Sequence, residues 1–140
     1  MKYPDTRPTN SYESAVMLAK IAYDKKADNI VILNLTAIEF APADFFVICS
    51  CDSGNQIDAI ITETKKYCNE YFLDYPNIEG MNNSYWVIAD FFDAVFHVMN
   101  RDARSYYRIE DIWADASFER INELGEVQPF TDLDYLKITE

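Results

Sequence analysis

The stretch Trp86-Val-Ile-Ala-Asp-Phe-Phe-Asp-Ala-Val-Phe-His-Val-Met99 holds one of the chain's two tryptophans and its only histidine. It also carries two aspartates, inside what otherwise reads as buried β-structure. Its alternation fits two strands joined by a tight turn at Phe91-Phe92. That register sets Asp90 opposite Asp93, Ala89 opposite Ala94, Ile88 opposite Val95, Val87 opposite Phe96 and Trp86 opposite His97. Side chains in a strand alternate between faces, so the pair sorts into two sets. Val87, Ala89, Ala94, Phe96 and Val98 form a wholly apolar face suited to helices. Trp86, Ile88, Asp90, Asp93, Val95, His97 and Met99 form a mixed face. Like charges directly opposite one another destabilise a sheet, so two facing aspartates suggest a surface that meets a basic group or a metal. A solvated turn with hydrated acids accounts for the same spacing.

Upstream, Asn10 or Ser11 caps a predicted helix running to about Lys26, with Glu13 placed for a capping box. The apolar, β-branched run Asn29 to Leu35 reads as a central strand, and Phe45 to Ser50 as a second. Ser53 is the predicted N-cap of the next helix, its partner Gln56 reaching back to the Ser53 amide. Ile57, Ile60, Ile61, Thr64, Cys68 and Tyr71 then mark one helical face through about Phe72. A turn-rich connection from Asp74 leads to the strand pair, and one or two short helices follow near residues 101–114. The order of elements predicts a single α/β domain whose mixed sheet has four to five strands, because two of the links are too short for parallel crossovers.

The 140 residues suit one domain, and 49% hydrophobic content is ample for one core. A formal net charge of −12 argues against gripping nucleic-acid phosphates, since that affinity comes largely from lysine and arginine. A basic protein partner fits better. The polar, proline-bearing N-terminal stretch and the lack of a long apolar run suggest an intracellular, cytoplasmic protein. Cys49, Cys51 and Cys68 read as reduced, buried thiols rather than a metal site, because one histidine and three scattered cysteines make a thin ligand supply. No serine nucleophile elbow, GxxxxGK loop or HExxH is present. His97 by itself reads more readily as a hydrogen-bonded structural residue than as a catalyst.

Five segments in order, DKKADNIVILNL (24–35), ADFFVICS (43–50), GNQIDAI (54–60), the opening stretch (86–99) and ARSYYRIEDIWADA (103–116), resemble the ribosomal silencing factor RsfS, or Iojap, family. The resemblance implies a nucleotidyltransferase-like fold without the catalytic motif over 1–116. It further implies a translation repressor, not an enzyme, that needs no cofactor or metal. Its partner would be a basic large-subunit protein of the L-fourteen family, bound so as to keep the small subunit from joining under nutrient limitation. Carried over position by position, the family's contact residues fall on Trp86, Asp90, Asp93 and His97, with Tyr107 and Trp113 as secondary candidates. Ile88 and Val95 join them from the strand alternation. Where the family has glycine in its D-(Y/F)-G-D turn, this chain has Phe92. Residues 117–140, with six acidic and two basic groups, lie beyond the shared pattern as an extension expected to pack on the same domain.

Two rivals stand beside this reading. One is a nucleotidyltransferase-like enzyme holding magnesium with Asp90 and Asp93; the other is a homodimer through the mixed face.

Overall fold

The computed structural model describes residues 7–130. Helix α1 (Ser11–Asp24) begins where the Asn10 side chain accepts from the Glu13 amide at 2.8 Å. Only half the predicted capping box forms, because the Glu13 carboxylate instead accepts from the Thr9 amide and hydroxyl. Strands β1 (Asp28–Asn34) and β2 (Phe45–Cys51) pair antiparallel. Helix α2 (Gly54–Glu70) starts at Ser53, whose hydroxyl accepts from the Gln56 amide at 3.1 Å. The Gln56 side chain reaches one residue further back than predicted, accepting from the Asp52 amide and donating to the Lys25 carbonyl. This single side chain therefore ties the start of α2 to the end of α1.

Strand β3 (Asn77–Glu79) leads to β4 (Trp86–Asp90) and β5 (Ala94–Asn100). Gly80, at φ 92°, lets the chain pass so close to the Trp86 carbonyl that any Cβ there would collide with it. Helices α3 (Arg101–Tyr107) and α4 (Ile109–Ile112) meet at Arg108, whose left-handed φ of 45° breaks one helix into two. Strands β6 (Ser117–Ile121) and β7 (Val127–Pro129) complete the described chain.

All seven strands join one sheet in the order β3-β4-β5-β2-β1-β6-β7. The expectation of four to five strands is thus corrected to seven among the described residues. The additional ones are short, partly exposed, or both, and so lack a strong apolar signal. Only β2 and β5 run parallel, with α2 in the crossover between them, which makes the sheet mixed as predicted. Residues 117–121 lie antiparallel beside β1, so this part of the acidic extension is sheet rather than an appendage. Residues 127–129 pair in turn with β6, and only the last part of that extension, 131–140, lies outside the described residues.

The central strands are covered on both sides. Helices α1 and α2 pack on one face, against Ile32, Val47, Cys49, Val87, Ala89, Phe96 and Val98. On the other face Ala103 of α3 and Ile109 of α4 pack against Val31, Leu33, Phe46, Ile48, Val95 and Met99. Cys49, Cys51 and Cys68 are buried and free. Burial raises the Cys68 thiol to about 11, well away from a reactive thiolate at neutral pH.

The β4–β5 register differs from the predicted one by two residues: Trp86 lies opposite Met99, Ile88 opposite His97 and Asp90 opposite Val95. The cause is the turn. The Asp93 amide donates back to the Phe91 carbonyl at 3.0 Å with Phe92 between them at φ 78°, the backbone angle of a classic γ-turn. A slip of two preserves alternation, so the two predicted faces survive although every predicted partner changes.

Candidate partner-binding surface

Trp86 stands at the start of β4, half-buried, on the face covered by α3 and α4. Its indole N–H donates to His97 Nδ1 at 3.2 Å, and its ring lies 4.9 Å from that of Tyr107 in α3. Beneath it, His97 lies 4.6 Å from Phe46 of β2, the two rings tilted by 57°, and Phe46 meets Trp113 edge-on at 5.9 Å. Tyr106 continues the series outward, 4.9 Å from Tyr107. The rings form a chain from the core to the surface. Its outer members Tyr106 and Tyr107 are solvent-exposed.

The mixed face is therefore only partly open. Val95 and His97 are 8% and 6% exposed and lie beneath the surface they were expected to join. Burial first, and the Arg104 charge second, depress the His97 pKa from 6.5 to about 3. The ring is neutral at physiological pH, with Nδ1 as acceptor and the proton on Nε2, a buried atom without a partner.

Asp90 and Asp93 sit at the opposite end of the strands from Trp86. Four residue steps of β4 separate Trp86 from Asp90, on the order of 13 Å. Asp90 accepts from the Phe92 amide at 2.8 Å and so closes the turn, while the Asp93 carbonyl accepts from the amides of Asp44 and Phe45. They are not the facing pair that was predicted. Asp93 shares a hollow with Asp44, and Asp90 shares a different one with Asp74.

Sequence reading missed Phe46, Arg104 and Glu110. The Arg104 and Glu110 side chains pair at 2.9 Å in full burial, and Arg104 Nη1 also donates to the Asn29 carbonyl and the Ser50 hydroxyl. Six residues apart, they would not face each other on a continuous helix. The left-handed break at Arg108 brings them together, and nothing in residue type announces that break. This strut fixes α3 and α4, and with them Tyr107 and Trp113, to β1 and β2.

Open α/β sheets with parallel strands hold ligands in the crevice beyond the strands' carboxyl ends. Here that crevice is spanned internally: Arg101 pairs with both Asp28 and Asp52 across the ends of β1, β2 and β5. Among the described residues no three His, Cys, Asp or Glu side chains gather as a metal site requires. The magnesium-dependent nucleotidyltransferase reading is not favoured. No helix among the described residues is long and apolar enough to cross a membrane.

The fold and this surface define a mixed α/β domain with a spanned crevice and an aromatic outcrop. Residues 8–135 match the family described as "Ribosomal silencing factor during starvation", and the chain belongs to that family. It is 42% identical over 93 residues to the ribosomal silencing factor RsfS of Halalkalibacterium halodurans, covering 66% of this chain and 79% of that one. The Bacillus subtilis RsfS is 36% identical over 112 residues, covering 80% and 84% respectively. A chloroplastic Iojap protein of Arabidopsis thaliana is 32% identical over 119 residues, 83% of this chain and 49% of its own. A crystal structure from Chromobacterium violaceum superposes with a TM-score of 0.70 at 26% identity, covering 76% of this chain and 88% of that one. The Halalkalibacterium halodurans and Bacillus subtilis relatives are named as silencing factors and not as enzymes.

Proposed function

We propose that this chain represses translation in the cytoplasm by binding the large ribosomal subunit and keeping the small subunit from joining. The partner in this reading is a basic large-subunit protein of the L-fourteen family, and the setting is nutrient limitation. The observation that carries the proposal is the aromatic outcrop of Trp86 and Tyr107, held from beneath by His97. Rigid, half-exposed aromatic anchors ringed by polar groups are what protein interfaces use as hot spots. Ile88, Asp90, Asp93 and Trp113 extend the contact surface, with Val95 and His97 as its floor. A net charge of −12 complements a basic, RNA-embedded protein and discourages stray RNA binding. The mechanism is occlusion: no bond is made or broken, no cofactor takes part, and a nucleotidyltransferase-like fold would serve only as scaffold.

The test mixes purified large and small subunits with and without the chain and follows joined ribosomes by sedimentation. Added chain is expected to deplete joined ribosomes and to travel with the large subunit alone. Undiminished joining at saturating chain, or a stable homodimer that ignores both subunits, would sink the reading.

A further inference from the structure

The β4–β5 turn makes a second feature, about a strand's length from the aromatic outcrop. Phe92 is 80% exposed and forms a ridge between two hollows, lining both. One hollow, of about 260 Å³, is lined by Phe40, 94% exposed, and by Asp44 and Asp93, the Asp44 carboxylate also accepting from the Ser11 hydroxyl. The other, of about 390 Å³, is lined by Tyr75, 60% exposed, and by Asp74 and Asp90, the Asp90 carboxylate also accepting from the Phe92 amide. Each hollow thus joins an exposed ring to two acids, and neither is lined by lysine or arginine. Both volumes fall at or below the lower part of the range for small-molecule sites, about 300–1,000 Å³, and suit single side chains.

We propose that a basic polypeptide segment docks here, straddling Phe92 and placing one arginine or lysine side chain in each hollow. A cation over a ring face is attracted by the ring's quadrupole, and a neighbouring carboxylate adds its charge. An apolar segment would desolvate four carboxylates without compensation, and a nucleic acid would meet their repulsion. The proposal rests on the reading above in one respect: it takes the segment from the basic ribosomal partner, so that the turn and the Trp86 outcrop grip the same protein at two points.

Two measurements separate the claims. In the first, an arginine-rich peptide is added to the ¹⁵N-labelled full chain, with an acidic peptide and single-stranded RNA as comparisons. Amide shifts at Phe40, Asp44, Tyr75 and Phe92 are expected with the arginine-rich peptide alone. Shifts centred elsewhere, or a response of these amides to RNA, would overturn the docking site. In the second, Phe92→Gly and Phe40→Ser are each expected to weaken binding to purified large subunits about fivefold, the scale of one lost cation–ring contact. Wild-type affinity in a folded Phe92→Gly chain would overturn the docking site while leaving the proposed function standing. A wild-type chain that ignores large subunits but takes the arginine-rich peptide at the turn would do the reverse.

Discussion

The indole N–H of Trp86 donates to Nδ1 of His97 across a diagonal of the β4–β5 hairpin, for Trp86 lies opposite Met99 and His97 opposite Ile88. The bond requires an unprotonated Nδ1, so the tryptophan anchor of the surface is held by a histidine that must stay neutral.

Stability should report that requirement. His97 titrates near 6.5 when unfolded but at about 3 in the fold, so between these values the unfolded chain binds more protons. Stability is then lost as pH falls below about 6.5, by on the order of 1 kcal/mol per pH unit, and not as pH rises. Urea unfolding between pH 6.5 and 5, above the range where carboxylates titrate, measures it. His97→Gln, which keeps an acceptor for Trp86 without a titrating ring, should flatten the slope. An unchanged slope would assign it to other groups.

Phe92 should trade stability for binding. A bulky side chain at φ 78° costs about 1–2 kcal/mol, and this ring recovers little by burial because it is largely exposed. Phe92→Gly relieves that cost against about 0.5–1 kcal/mol of extra unfolded-state entropy. The variant should unfold at higher urea, by about 0.5–1 kcal/mol, although it docks the basic segment less well.

The Arg104–Glu110 pair should matter through what it leaves behind. Removing one member of a buried, hydrogen-bonded ion pair strands the other charge, at about 3–5 kcal/mol. Glu110→Ala should lose that amount in urea unfolding. If α3 and α4 loosen first, the near-ultraviolet signal of Trp86 and Trp113 should weaken at denaturant concentrations where far-ultraviolet ellipticity persists.

Much of this arrangement was legible in the sequence where local chemistry is strong. Asn10 and Ser53 cap α1 and α2 as residue type predicts, and the Ile57-Ile60-Ile61-Thr64-Cys68 stripe is buried. Tyr71 falls outside the helix as its C-cap and is only partly buried, with Tyr67 taking the buried place. The continuous apolar runs of β1, β2 and β5 follow from burial on both faces. The three-residue β3 and β7 carry no alternation long enough to read, and β6 alternates only weakly. The hairpin register escaped because Phe92 adopts a φ that residue type argues against. Alternation of faces survived that error, but which residues on the mixed face reach solvent did not follow from it. That depends on α3 and α4, whose placement turns on Arg108 and the buried Arg104–Glu110 pair.

The most direct measurement is co-sedimentation of purified large subunits with the wild-type chain and with Trp86→Ala, at low and high salt. The wild-type chain should sediment with the large subunit, less so at high salt because acidic–basic attraction is screened. A folded Trp86→Ala chain should lose about 2 kcal/mol of binding, some thirtyfold in affinity. Wild-type binding by that folded variant, at either salt concentration, would contradict the assignment of this surface to the ribosomal partner.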